Sequence, residues 1–417
     1  MQAYGRAYVS SDMTRHAHGA TLLMSSKQRH AEIAGGGLAG LTAAAALAHR
    51  GWSVRVHERH PSLRIEGFGI TLLENGLRVL EAVGALEGAV HDGHPAHNRL
   101  NRDRNGVLMS SHRRPGRSYR VSRYRLVTAL ADVAEKLGVE IVYNSAARAA
   151  TADGRLILES GQILGADLVV AADGVNSPIR QSLGLLESRK YLNQGAIRVL
   201  LPLHEGDFTA KDAAVSTEWW SKNRRILFAP CSSNEIYAAL VSNVADERGK
   251  RVPLDAESWS ETFPPLAKFF DRMRLLDWSN VQWAAFQVVK LRRWSSGRVA
   301  VIGDAAHAMP PNLGQGGGSA MMTALSLAHA LDQRGDVATA LSAWEKNERP
   351  LIEHTQRWSV TYGRLSRLPA PIRDPIFWII NKQPHLHRSF QRTAKHNPTG
   401  ADDTKGRRAL GGVSSVL

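Results

Sequence analysis

The chain has 417 residues, 43% of them hydrophobic, enough to bury a sizeable core shared by roughly two or three domains. Its single cysteine, Cys231, excludes an intramolecular disulfide framework and a cysteine-only metal site and suits a reducing, cytoplasmic setting, while no run approaches the ~18 apolar residues of a spanning helix. The net charge of +15 raises nucleic-acid binding, but residues 1–30 carry four Lys/Arg against one acid and residues 381–417 carry seven against two, so over half of the excess lies outside the expected core. Inside it, Arg113, Arg114, Arg117, Arg120, Arg123 and Arg125 form a dense basic stretch. That stretch reads as solvated surface or as steering of an anionic cofactor or substrate, and no nucleic-acid partner is expected.

Residues 1–30 read as an extension, expected to be disordered, that lacks the apolar segment of a secretory signal. The first ordered feature is Ile33 to Thr42, I-A-G-G-G-L-A-G-L-T. Gly35, Gly37 and Gly40 have G-x-G-x-x-G spacing, with a buried-strand pattern before them and an Ala/Leu helix pattern from Leu38 and Ala39 onward. The glycines allow a tight turn, backbone approach to a pyrophosphate and close helix–strand packing, and the helix N-terminus faces the anion. Glu58 ends a second strand, where an acid meets a ribose hydroxyl. This is a dinucleotide-binding βαβ unit.

Leu63 to Leu73 follows, loosened by Gly67 and Gly69, and then a helix over Asn75 to Ala82. Val90 to Tyr119 is polar and reads as irregular. A helix over Ser122 to Leu137, a strand over Val139 to Tyr143, a small antiparallel element around Leu156 to Leu164 and a buried strand over Ala166 to Ala172 lead to Asp173-Gly174. Between about Leu183 and Ser296 strands alternate around one helical stretch, Trp259 to Met273, as in an inserted domain. Arg298 to Ile302 returns to the first sheet, and helices are expected over Ala320 to Leu331 and Val337 to Arg357. The expected fold is therefore α/β. A Rossmann-like domain (31–182 and 297–350) is interrupted by a sheet-rich substrate domain (183–296, with some sheet shared with 60–120), followed by C-terminal helices (351–393) and a loose tail (394–417).

The second chemistry-bearing stretch is Gly297 to Ala320. A strand ending in Gly303-Asp304 puts a carboxylate at the ligand-binding edge of a sheet. Pro310 and Pro311 stiffen a turn, and Gly314, Gly316, Gly317 and Gly318 expose backbone N–H groups ahead of a helix, a nest suited to an anion. No His/Cys/Asp cluster has metal-ligand spacing, so no metal is expected.

With these three segments in this order, the chain resembles the class A flavoprotein aromatic hydroxylases, which share the para-hydroxybenzoate hydroxylase fold. The resemblance implies one FAD, with Glu58 on the ADP ribose, Arg59 near the adenosine, Arg64 and Arg123 near the pyrophosphate, Asp304 on the ribityl chain and Pro311 to Gly318 beside the flavin; Asp173-Gly174 also serves an NADH or NADPH donor. It implies a monooxygenase that uses O2, through a flavin C4a-hydroperoxide, to hydroxylate an electron-rich phenol or hydroxypyridine. Ring opening, or a reductase or halogenase of the same fold, is the alternative. Thr323 stands where many relatives carry an acid.

A narrower resemblance, in A-E-I-A-G-G-G-L-A-G-L-T, N-G-L-R-V-L-E and the stretch around Cys231, is to the 2-methyl-3-hydroxypyridine-5-carboxylate oxygenase-like monooxygenases. It puts Arg225 and Tyr237 at substrate-binding positions. An arginine beside a pocket suits a carboxylate or phenolate, and a tyrosine can hold or deprotonate a ring hydroxyl; a surface salt bridge and a core aromatic are their structural alternatives. Thr71 and Arg99 stand where that group has pocket tyrosines, so a different, acidic or nitro-bearing ring is expected. His307 is expected to be structural, and Trp219, Trp220 and Phe228 line either a pocket or a core. A monomer or homodimer is expected.

Overall fold

The computed structural model describes residues 28–403 except 64–67 and 210–213, so Arg64 and the first 27 residues lie outside the described part. Its organising element is a six-stranded sheet in the order Ser295–Ser296, Val299–Val301, Leu168–Ala171, His30–Ala34, Ser53–His57 and Glu140–Val142. The four central strands are parallel neighbours: Ile33 lies beside Val56 and Val170, and Val170 beside Ala300. These strands are short, apolar runs because helices cover them. Leu38–Ala48 is buried along ten of its residues and packs against Gly316–Gln333 and Arg123–Lys136. Alanines at 43 to 46, each 0% exposed, allow that close approach.

A second sheet has seven strands in the order Ala284–Leu291, Leu186–Pro202, Glu235–Asn243, Arg225–Pro230, Val215–Trp220, Asn98–Asp103 and Leu108–Arg113. Two of these, Asn98–Asp103 and Leu108–Arg113, come from the stretch read as irregular. Asn98–Asp103 carries one large apolar residue, Leu100, and is recruited by parallel pairing with Val215–Trp220 far along the chain. One face of this sheet, including Ile197, Val199, Ile226, Phe228, Ile236 and Leu240, packs on Trp259, Phe263, Phe269 and Phe270. The helical stretch there is two helices, Ala256–Thr262 and Ala267–Met273, separated at Pro264-Pro265, where a continuous helix would lose backbone hydrogen bonds. The sheet's other face meets the first domain.

The long helix Val337–Arg364 and the helices Ala370–Lys382 and Pro384–Lys395 close the structure. Residues 404–417 of the expected tail lie outside the described part; ahead of them the Asp403 carboxylate accepts from Arg50 at 2.6 Å and pairs with His329 at 2.8 Å, while Thr399 donates to the buried Glu348 at 2.9 Å. Trp220 and Phe228 belong to hydrophobic clusters, with Trp220 packed edge-on against Tyr362 and Phe377.

Candidate functional site

The glycine turn follows the strand His30–Ala34. At Gly35, φ is 106°, and an added Cβ would stand 2.4 Å from the Ala172 carbonyl oxygen; at Gly40 it would stand 1.9 Å from the Gly35 oxygen. Both contacts exclude any side chain. A Cβ on Gly37 meets nothing within 4 Å, so the turn is open where a ligand would come. Leu38, Ala39 and Gly40 then head a helix with no side-chain cap and no acid in its first turn, leaving its dipole for an anion. Glu58 braces the loop: its carboxylate accepts from the Gly36 N–H at 2.9 Å and from the His60 N–H at 3.0 Å. Arg59 is exposed beside it.

Two further carboxylates end neighbouring strands. Asp173 follows Leu168–Ala171, and its Oδ1 is buried without a partner; desolvation raises its pKa. Asp304 follows Gly303, whose φ is 61°. Its side chain reaches solvent yet is enclosed by protein, as at the bottom of a cleft, so desolvation again raises its pKa, opposed by the charge of Arg123 at the head of Arg123–Lys136. Pro311–Leu313 forms a single turn, Gly314 has φ 66°, and Gly316–Gln333 starts without a side-chain cap or first-turn acid. Gly316 faces open space, a Cβ on Gly317 would touch Leu38 at 3.3 Å, and the buried Ser319 hydroxyl has no partner. Asn75 Nδ2 donates to Gln315 at 2.9 Å, fixing the turn ahead of Gly318.

The substrate-domain sheet turns its other face to this loop. Strand alternation and register lay Arg99, Ser216, Ala229, Tyr237 and Leu200 in one row, and Asn101, Glu218, Leu227, Ala239 and Arg198 in the next. Thr71 reaches the loop from the side, its Cβ 3.8 Å from where Gly314 would carry one, and Gly69 lies against the Tyr237 side chain. Burial raises the pKa of the Tyr237 hydroxyl, and the nearby Arg198 guanidinium opposes that shift.

Arg225 is engaged by neighbouring side chains, while its Nε is buried without a partner. It is 2% exposed, donates to Glu218 at 2.9 Å and also bonds the Asn312 side chain. Arg99 pairs with the other Glu218 oxygen, donates to the Asn312 carbonyl at 3.3 Å and lies 4.6 Å over the Tyr362 ring. Tyr362 donates to Glu218 at 3.2 Å. Glu218 thus pairs with two guanidinium groups at once, which leaves one positive charge in excess; its pKa is lowered despite burial by Arg99 and Arg225, and the network supports the loop at Asn312. Sequence reasoning missed Glu218, Asn312 and Arg198. Only Asn312, inside the Pro/Gly loop, had a local signal.

His307 lies within the first domain's core. Its ring is 5.2 Å from Trp294, its Nε2 is 3.3 Å from the Thr323 hydroxyl, and desolvation lowers its pKa to about 4. Thr323 serves that contact and the helix backbone. Among the described residues no cluster of three His, Cys, Asp or Glu could hold a metal ion, and no helix is long and apolar enough to cross a membrane.

The profile of the family described as "FAD binding domain" matches residues 29–351, which include every segment of this cleft. The chain belongs to that family. Relatives extend the match. A 2-heptyl-3-hydroxy-4(1H)-quinolone synthase of Mycobacteroides abscessus is 40% identical over 357 residues, covering 85% of this chain and 95% of the relative. A 6-hydroxynicotinate 3-monooxygenase of Bordetella bronchiseptica is 28% identical, over 81% of this chain and 91% of that one. The solved structure of the tetrameric form of 2-methyl-3-hydroxypyridine-5-carboxylic acid oxygenase has TM-score 0.81 and 38% identity, over 89% of this chain and 98% of that one. The protein is an FAD-dependent oxidoreductase of the monooxygenase kind, with the class A hydroxylase fold.

The residues fit the cofactor of this family. The open turn at Gly37, the unpartnered Asp173 Oδ1 and Ser319 hydroxyl, and the enclosed Asp304 carboxylate supply donors and acceptors for a long polar molecule with an anionic centre. Glu58 suits the ribose end, Arg123 the pyrophosphate, and the Gly314 to Gly318 nest the flavin.

Proposed function

We propose that this enzyme hydroxylates a flat, largely neutral N-heteroaromatic ring of the 4-quinolone or hydroxypyridine type, with NAD(P)H as reductant and O2 as co-substrate. The observation that carries this reading is the composition of the sheet face under the loop. Leu200, Leu227, Ala229 and Ala239 provide an apolar floor, Tyr237 and Arg198 a polar margin, and the terminal nitrogens of the expected anchor Arg225 are already held by Glu218 and Asn312. A carboxylated ring would therefore lack the paired guanidinium expected for it, whereas a quinolone needs apolar contact and one or two hydrogen bonds. The names of the Mycobacteroides relative and of the hydroxynicotinate monooxygenase support a nitrogen heterocycle.

Bound FAD supplies the activation of O2 with electrons from the nicotinamide. The chain's own residues bind and orient. Tyr237, kept protonated by burial beside the Arg198 charge, donates to the ring oxygen, so it holds the oxygen rather than acting as a resting phenolate base. The floor and the Pro311 to Gly314 turn exclude water from the reacting face.

The test is a panel of 2-alkyl-4(1H)-quinolones, 6-hydroxynicotinate and hydroxypyridine carboxylates, scored for ring-stimulated NAD(P)H oxidation. The quinolones are expected to stimulate most. Preference for carboxylated rings would return the anchor role to an arginine. A monomer or homodimer in a cytoplasmic setting accompanies this reading, and light scattering separates it from a tetramer like that of the structural neighbour.

A further inference from the structure

The outer end of the same sheet face carries chemistry that the ring site does not use. The Arg114 guanidinium has no hydrogen bond or ion pair among the described residues, and its Nε is buried. Glu218, the carboxylate acting on it, is already shared by Arg99 and Arg225, while Arg99 and Arg120 add positive charge nearby. Two residues back on the same face, His112 Nδ1 is also buried without a partner. Arg99, Arg114 and His387 all act on that ring, which stays neutral with its pKa pushed down to about 3, mainly by desolvation. His387 belongs to Pro384–Lys395, which is tied to the strand end where Gln391 donates to the Arg113 carbonyl, and its Nδ1 is the third buried nitrogen without a partner.

We infer that His112, Arg114 and His387 form a subsite for a small oxyanion, a carboxylate or phosphate group, between the last strand of the substrate sheet and the Pro384–Lys395 helix. A buried N–H without an acceptor costs free energy, and an oxyanion accepting from the half-buried Arg114 and the imidazole N–H groups removes that cost. The row His112, Arg99, Ser216, Ala229 puts the subsite roughly 14 Å from the ring floor, at ~4.8 Å per strand. It is thus separate from the ring contacts and does not depend on which ring is bound.

The experiment uses the FAD-loaded full-length enzyme and follows melting temperature and calorimetric binding with sodium formate and with inorganic phosphate, at ionic strength held constant with NaCl. The wild type should show a saturable rise of about 3–6 °C. Arg114→Met should abolish the response and melt no lower than the anion-free wild type; if that variant does not fold, Arg114→Gln with calorimetry gives the same readout. His387→Ala should weaken anion binding at least fivefold. No saturable response in the wild type, or an equal response in the Arg114 variant, overturns the subsite. Competition between formate and a quinolone carrying an acidic side chain would identify the anion as a substrate group, and simultaneous binding would identify a free anion; both require the subsite.

Discussion

The nucleotide cleft and the substrate-facing sheet handle charge in opposite ways. In the cleft, polar groups are left unspent: the Gly37 turn is open, Asp173 Oδ1 and the Ser319 hydroxyl lack partners, and Asp304 sits enclosed with a raised pKa. On the sheet, most of the charge is met by protein groups, since Glu218 pairs with Arg99 and Arg225 and Asn312 bonds both, and only Nε of Arg225 and of Arg114 at its outer end are left buried without a partner among the arginines described there. The difference teaches which groups address a ligand. A residue type suited to binding is informative only where the fold has not already satisfied it.

The most disruptive way to probe the contrast is Gly40→Ala, whose Cβ would stand 1.9 Å from the Gly35 oxygen. More than 100-fold weaker FAD binding is expected, seen as loss of flavin absorbance in the purified protein. On the sheet side, Glu218→Gln leaves two buried guanidinium groups short of their counter-charge and should cost about 3–5 kcal/mol, read from denaturant midpoints. A change in ring affinity with stability unaltered would show instead that Glu218 faces the substrate.

Smaller effects sharpen the assignment. Asp304→Asn should weaken FAD about 10- to 100-fold, by the loss of a charged hydrogen-bond acceptor, in a fluorescence titration of the apoprotein. His307 is a pH probe of the first domain's core. Its folded pKa of about 4 lies below the ordinary 6.5, so the unfolded chain takes up the proton first as pH falls. The stability it contributes is complete above about 6.5 and is lost on descent toward 4, about 2 kcal/mol by pH 5. His307→Asn should flatten that part of the stability–pH curve by one proton. The smallest change is Tyr237→Phe, expected to lower kcat about tenfold, or about 1.4 kcal/mol, with FAD affinity and melting temperature unchanged.

The cleft was legible because its requirements are local. A positive φ at Gly35, a close approach at Gly40 and an acid at a strand end each leave a mark within a few residues of sequence. The sheet face was not. Asn98–Asp103 has too few apolar residues to announce a strand and exists through pairing with Val215–Trp220, and Glu218 meets Arg99 only because of that pairing. The same holds for Arg198, which acquires a role when its strand lies beside Tyr237. Arg225 stood out as a residue type, whereas its partner Glu218 left no local mark in the sequence.

The most direct test of this account is turnover of the FAD-loaded enzyme with a 2-alkyl-4(1H)-quinolone and NAD(P)H under 18O2, with the product analysed by mass spectrometry. One labelled oxygen on an intact ring, formed in step with nicotinamide oxidation, is the predicted result. Nicotinamide oxidation that ends in hydrogen peroxide, with unlabelled quinolone recovered while a carboxylated hydroxypyridine takes up the label, would contradict it.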